Sequence, residues 1–125
     1  MKTADNTTKQ PRIALAEYRR RRKKLMDGMD QGALAVIPGA RMRLRNKDTE
    51  YPFRQDSDFY YLTGFDEPDS LLVLAPGRKH GEVILFLRER DEASEQWTGA
   101  RLGPERAGQV LGVDDAFPIG DLGDI

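Results

Sequence analysis

The stretch LLVLAPGRKHGEVILFL, residues 71–87, decides the fold of this chain. Two apolar runs, at residues 71–75 and 83–87, flank the polar segment PGRKHGE. Apolar runs of this length between turn signals are typical of buried strands. Pro76-Gly77 is a strong turn signal, because proline fixes its own backbone angle and glycine tolerates a left-handed one. The stretch therefore predicts an antiparallel pair of strands.

Two further strands are predicted upstream of this pair. Residues 33–37 form a short apolar run between Gly32 and Pro38-Gly39, which suits a buried strand bounded by turns. In residues 41–45, Met42 and Leu44 alternate with arginines, and this pattern indicates a strand with one apolar face.

Helices are predicted between and around these strands. One short helix carries the aromatic residues 59–61, with Ser57 or Asp56 as its N-cap and Gly64 as its stop. Residues 92–97 and 104–111 are also helical, and the second segment begins with proline and ends at Gly112. Helices interspersed with four or more strands of both orientations predict an α/β domain, in which a mixed sheet is flanked by helices.

The first helix, from Ile13 to about Met29, carries a cation on its apolar face. That face is formed by Leu15, Tyr18, Leu25, Met26 and Met29. Arg22 lies near the middle of the face, whereas the neighbouring basic residues point away from it. Its guanidinium must either reach back to water or pair with a carboxylate across the interface. We favour the ion pair.

Composition indicates one soluble globular domain. The chain has 125 residues, of which 38% are hydrophobic and 33% charged, and its net charge is −1. Residues 1–12 are polar and are expected to form a flexible tail before a domain at 13–125. No cysteine is present, so disulfides and thiolate metal sites are excluded, and a cytoplasmic location is the expectation. No apolar run approaches the ~18 residues that span a membrane, and no signal peptide is recognisable.

Two features that suggest a ligand have simpler interpretations. The run RRRRKK, residues 19–24, could contact nucleic acid, but six consecutive residues wrap more than once around a helix and do not form one face. A solvated helix surface is the better reading. The single histidine, His80, lies beside Arg78 and Lys79, and these cations disfavour a bound metal. No metal-binding, phosphate-binding or nucleophile motif is visible.

Four segments together resemble a known family. They are DTEYPFRQDSDFYYLTGF at 48–65, EPDSLLVLAPG at 67–77, LFLRERD at 85–91 and EQWTGARLG at 95–103. In this order they resemble the amino-terminal domain of Xaa-Pro aminopeptidases, also called aminopeptidase P. The resemblance begins near residue 13 and continues to the end of the chain. It implies a creatinase-type N-terminal domain that lacks the last elements of the family fold.

The resemblance also implies that the chemistry belongs elsewhere. In this family a C-terminal "pita-bread" domain, absent here, holds two metal ions, usually Mn²⁺, with two Asp, one His and two Glu. The implied function is that of a non-catalytic domain of an enzyme that removes an N-terminal residue preceding proline. Its implied partners are that catalytic domain, further copies in a homodimer or homotetramer, and peptides with proline at the second position; neither nucleic acid nor membrane is expected. The alternatives are a prolidase-like or creatinase-like relative and a catalytically inactive binding module.

Two residues correspond by resemblance to positions that reach the substrate cleft of a neighbouring subunit. Asp48 would hold the protonated amine of a peptide or organise an arginine, although a turn carboxylate is the simpler reading from the residues alone. Trp97 would form a cleft wall, and its alternative is an anchor in the core. The loop that supports Asp48 is expected to contain Tyr51, Arg54, Asp58 and Tyr60. No residue of this chain is expected to be catalytic or to bind a metal.

Overall fold

The described part of the chain folds into a mixed β-sheet with helices. The computed structural model describes residues 14–41 and 53–124. Its helices are α1 Leu15–Asp27, α2 Ser57–Thr63, α3 Glu92–Thr98 and α4 Pro104–Leu111, followed by a 3₁₀ helix at Ile119–Asp124. Its strands are β1 Ala35–Pro38, β2 Leu71–Leu74, β3 Val83–Leu87 and β4 Asp115–Pro118.

The described strands are arranged in the order β1-β2-β3-β4. The first three form an antiparallel meander, and β4 pairs in parallel with β3. Leu72 stands opposite both Ile37 and Leu85, so one continuous apolar row crosses three strands. The predicted strand pair and the mixed sheet are confirmed. The predicted strand at 41–45 lies almost entirely outside the described residues.

The strand β4 was not predicted from the sequence. Its four residues, DAFP, include a charged residue and a proline, and all four are half-buried. A proline within such a run normally argues against a strand, because it has no backbone N–H to donate to a neighbouring strand. The segment is held as a strand because it pairs with β3, where Phe86 and Phe117 stand opposite each other with ring centroids 5.6 Å apart. Tertiary pairing therefore outweighs the weak local pattern.

One face of the sheet forms the core with the helices. The buried cluster joins α2 and α4 to β2 and β3, and Met26 of α1 packs against it. Its members are Phe59, Leu62, Phe65, Leu72, Leu74, Val83, Leu85, Leu87, Ala107, Leu111 and Val113. On the opposite face, Val36 remains 55% exposed while Leu71 and Val73 are half-buried. That face is apolar and only partly covered by described residues.

The short helix α2 has the predicted ends. Asp56 is its N-cap, because its carboxylate accepts the backbone N–H of Phe59 at 3.0 Å. Gly64 ends the helix in a left-handed conformation with φ +69°, where a side chain would be strained. Phe65 is buried directly after this stop. The local signals alone were therefore sufficient to define α2.

The carboxylate partner predicted for Arg22 is wrong, although the residue is paired. Arg22 is 1% exposed and donates to the carbonyl of Leu62 at 2.8 Å, at the C-terminal end of α2. It also donates to the carbonyls of Leu111 at 3.4 Å and Gly112 at 3.2 Å, at the end of α4. The last carbonyls of a helix lack partners within it and carry partial negative charge. Arg22 thus joins α1 to the ends of two other helices.

Candidate functional site

Trp97 lies on the surface of α3. Its side chain is 87% exposed, so the alternative of a core anchor is wrong. Large aromatic side chains are usually buried in part, since each carries a large apolar area. An indole this exposed is suited to contact with another molecule or another part of a longer polypeptide.

The helix that carries Trp97 is organised by the carboxylate of Glu95. Oε2 of Glu95 accepts the backbone N–H of Asp91 at 2.6 Å, and Oε1 accepts that of Arg101 at 3.1 Å. The guanidinium of Arg90 donates to the same two oxygens, from Nε at 3.3 Å and from Nη2 at 3.0 Å. One carboxylate therefore connects the segment before α3 with the segment after it.

These contacts also determine how Glu95 titrates. The Arg90 guanidinium, followed by the two backbone N–H groups, lowers the pKa of Glu95 from 4.5 to about 2. On α1, hydrogen bonds from Arg20 and Arg21 lower the pKa of Glu17 to about 2 as well. A carboxyl group whose pKa is lower in the folded state than in the unfolded state stabilises the fold when it is ionised.

We expect the Glu95→Gln variant to lose part of the acid sensitivity of the chain. Glu95 contributes its full stabilisation above about pH 4.5, and the contribution declines as the pH falls towards 2. The free energy of unfolding of the variant should therefore fall less steeply over this interval. Urea unfolding at a series of pH values between 2 and 6 measures how steeply the free energy of unfolding falls with pH. Glu17→Gln is the matched variant, because it removes the carboxyl group on α1 whose pKa is also lowered to about 2. Identical slopes for Glu95→Gln and the unmodified chain would contradict the assignment.

The residues expected to support Asp48 are divided between two cavities. Arg54 and Tyr60 line a cavity of about 570 Å³ that also contacts Tyr18 and Gln55. Asp58 lines a second cavity, on the side of α2 that faces α1. Asp48 and Tyr51 lie outside the described residues, so their predicted roles remain predictions.

An arginine stacked on tyrosine forms one wall of the first cavity. The guanidinium carbon of Arg21 is 4.1 Å from the centre of the Tyr61 ring and 5.2 Å from that of Tyr18. Arg21 also donates to the carbonyl of Tyr61 at 2.9 Å. Burial, with a smaller effect from Tyr60, raises the pKa of Tyr18. The wall is thus cationic and aromatic, and its position is fixed by contacts between α1 and α2.

Gln55 was missed by the sequence analysis. The side chain is 8% exposed, and its Oε1 accepts the backbone N–H of Ala40 at 2.7 Å and that of Asp56 at 3.0 Å. Its Nε2 donates to the carbonyls of Phe65 at 3.1 Å and Glu67 at 2.9 Å. Four hydrogen bonds of one amide therefore join the segments that flank α2 to the end of β1. The sequence contains no signal for these bonds beyond a polar residue among aromatic ones.

The described residues do not fit a metal ion. Among them, no group of three or more His, Cys, Asp or Glu side chains is placed to hold one. His80 is exposed, with Arg78 and Lys79 preceding it. The basic run on α1 is also divided, since Arg20 and Arg21 bind Glu17 whereas Arg22 is buried. Within the described ranges, no helix is both long and apolar enough to cross a membrane.

Comparison with known protein families agrees with this fold. A family model described as "Aminopeptidase P, N-terminal domain" matches residues 18–125. The chain belongs to this family. The aminopeptidase P N-terminal domain described here is 43% identical, over 111 residues, to the Xaa-Pro aminopeptidase of Escherichia coli. It is also 43% identical, over 103 residues, to that of Haemophilus influenzae.

Solved structures show the same fold. The aminopeptidase PepP of Pseudomonas aeruginosa superposes on 91% of this aminopeptidase P N-terminal domain, with a TM-score of 0.86 and 54% identity. The aminopeptidase P of E. coli superposes with a TM-score of 0.84 and 42% identity, and one of its structures is a zinc-substituted form with bound product. The chain covers 25% of the E. coli relative and 26% of the P. aeruginosa structure. It therefore spans about a quarter of the length of the relatives that it matches.

Proposed function

We propose that this chain is the non-catalytic N-terminal domain of a dinuclear metallo-aminopeptidase that releases an N-terminal residue preceding proline. In this role it shapes the substrate cleft and makes subunit contacts, while the metal ions and the reacting water belong to the catalytic domain of the longer polypeptide. The observation that carries the proposal is the 87% exposed Trp97 on a helix held in place by hydrogen bonds. Membership of the family supports the assignment of this surface to a peptide cleft.

The partly covered sheet face also supports a role within a larger assembly. Val36 is 55% exposed, and Leu71 and Val73 on the same face are half-buried. Apolar surface of this kind on a domain commonly contacts another domain or subunit. The proposed partners are the catalytic domain of the same polypeptide and further copies in a dimer or tetramer.

Within the cleft, Asp48 and Trp97 have different roles. A carboxylate at position 48 binds the protonated amine of the peptide, and such a charged contact is strengthened where water is partly excluded. The indole of Trp97 supplies a flat apolar wall against which the first residues of the peptide lie. Arg54, Asp58 and Tyr60, together with Tyr51, support the segment that carries Asp48.

We expect the 125-residue chain alone to show no Mn²⁺-dependent release of the first residue from an Xaa-Pro peptide. The same chain expressed together with the sequence encoded downstream of residue 125 should release it. The physical reason is that the described residues offer no metal-binding group that could activate water. Chromatographic detection of the released amino acid measures both proteins under one condition.

Two outcomes would contradict the proposal. Proline-specific turnover by the chain alone would show that it is catalytic, and inactivity of both proteins would favour an inactive binding module.

Asp48→Asn and Trp97→Ala in the extended protein test the two cleft residues, and each should raise KM about tenfold. Lys24→Gln, an exposed change on α1, is the control and should leave KM unchanged.

A further inference from the structure

The described side chains of helix α3 include no buried apolar anchor of the kind found in the other helices. Helices α1, α2 and α4 each contain buried side chains, whereas none of the described side chains of α3 is buried. Short isolated helices are marginal in water, because their formation is cooperative and nucleation is unfavourable. The orientation of α3 must therefore be set by polar contacts at its two ends.

The carboxylate of Glu95 supplies these contacts. It accepts two backbone N–H groups, from Asp91 before the helix and Arg101 after it, and two further N–H groups from the Arg90 guanidinium. The side chain of Glu95 is only 9% exposed, so these bonds are partly shielded from water. Charge-assisted hydrogen bonds of this kind are stronger than neutral ones.

The segments that Glu95 joins are themselves fixed to the domain. Leu102, next to Arg101, donates its backbone N–H to Oε2 of Glu67 at 2.8 Å. Oε1 of Glu67 in turn pairs with Arg88 at 3.4 Å, immediately after β3. The guanidinium of Arg101 reaches the carbonyl of Glu89 at 3.1 Å. A continuous series of polar contacts therefore leads from the sheet to α3.

We infer that Glu95 is a positioning residue for Trp97, because its carboxylate holds α3 in one orientation and so fixes the direction in which the exposed indole leaves the domain. Trp97 follows Glu95 by two residues. At the C-terminal end of α3, the backbone N–H of Gly99 donates to the carbonyl of Glu95 at 3.0 Å. An aromatic side chain that is already oriented loses less conformational freedom when another molecule covers it. The consequence for peptide binding rests on the proposed function.

Time-resolved fluorescence anisotropy tests the inference on the 125-residue chain. Trp97 is its only tryptophan, so the signal reports on this one side chain. Glu95→Gln should increase the amplitude of the fast, subnanosecond component about twofold, because α3 gains local motion. Glu92→Gln removes an exposed charge from the start of the same helix, and Glu92 takes no part in the hydrogen bonds of the Glu95 carboxylate, so this variant should leave the decay unchanged.

An unchanged decay in Glu95→Gln would overturn the inference, as would an equal increase in Glu92→Gln. Far-UV circular dichroism establishes that each variant is folded. If Glu95→Gln does not fold, Arg90→Gln takes its place, because it removes two of the four donors and keeps the carboxylate. The same increase and the same contradiction apply to that variant.

Kinetics of the extended protein distinguish this inference from the proposed function. Glu95→Gln should raise KM for an Xaa-Pro peptide about fivefold with little change in kcat, because only the placement of Trp97 is altered. If Trp97→Ala leaves KM unchanged, the proposed cleft role of Trp97 fails, whereas the anisotropy result still decides whether Glu95 positions it. If Trp97→Ala raises KM and Glu95→Gln does not, the positioning role is overturned.

Discussion

Replacement of Arg22 by methionine is expected to lower the free energy of unfolding by about 3 kcal/mol. The guanidinium binds the carbonyls of Leu62, Leu111 and Gly112, and it is 1% exposed. Burial, with a smaller effect from Arg19, lowers the pKa of Arg22, because burial disfavours the charged form of the guanidinium. Methionine removes this desolvation cost, but it donates no hydrogen bond and leaves buried carbonyls unpaired. The unpaired acceptors dominate.

Urea unfolding of the folded chain measures this loss. Lys24→Met on the same helix is the control, because Lys24 is exposed and its replacement should change stability by less than about 0.5 kcal/mol. Arg22→Lys keeps the charge but cannot reach the ends of two helices at once, so its stability should be intermediate. If the free energy of unfolding of Arg22→Met equals that of Lys24→Met, the prediction is wrong, and the carbonyls must have found other hydrogen-bond donors.

Replacement of Gly64 by alanine is expected to cost about 3 kcal/mol, from two separate effects. Gly64 has φ +69°, which L-residues rarely adopt. A Cβ atom there would also lie 2.5 Å from Cζ of Tyr18, a buried side chain of α1. The domain would therefore have to move α1 away from α2 or break the end of α2. Thermal and urea unfolding both measure the loss.

Gly32→Ala separates these two effects. Gly32 has φ +87°, but nothing lies within 4 Å of a Cβ atom built there. This control should lose only the backbone contribution, about 1 kcal/mol. Equal losses of unfolding free energy at positions 32 and 64 would mean that the Tyr18 side chain moves aside at little cost. The close approach of α1 and α2 would then contribute little to stability.

Local patterns in the sequence were sufficient to predict the elements that depend on interactions between neighbouring residues of the chain. The apolar runs of β2 and β3, the Asp56 cap and the Gly64 stop are all confirmed, because each depends on short-range preferences. The strand β4 was missed, since its pairing with β3 comes from tertiary structure and its own four residues give no clear pattern. On the predicted apolar face of α1, Tyr18 is buried and Met26 packs against the core, whereas Leu25 is exposed. The partner of the central arginine was not predicted.

The candidate site was harder to predict, because its contacts run mainly from side chain to backbone. Backbone carbonyls and N–H groups are present at every position, so the partners of Arg22, Gln55 and Glu95 leave no mark in the sequence. Trp97 was recognised, yet its exposure could not be deduced, since an amphipathic aromatic suits both a core and a surface. The family resemblance pointed to Asp48 and Trp97 but not to Glu95, which lies two residues before Trp97.

The contact of Arg22 with carbonyls rather than carboxylates has a consequence for mutational tolerance. A carbonyl survives every substitution of the residue that carries it, so no codon change at positions 62, 111 or 112 can delete an acceptor. An ion pair, by contrast, can be lost by substitution of either partner. These three hydrogen bonds thus depend on the side-chain identity of Arg22 alone. Substitutions at the acceptor positions are restricted only by side-chain packing and backbone conformation.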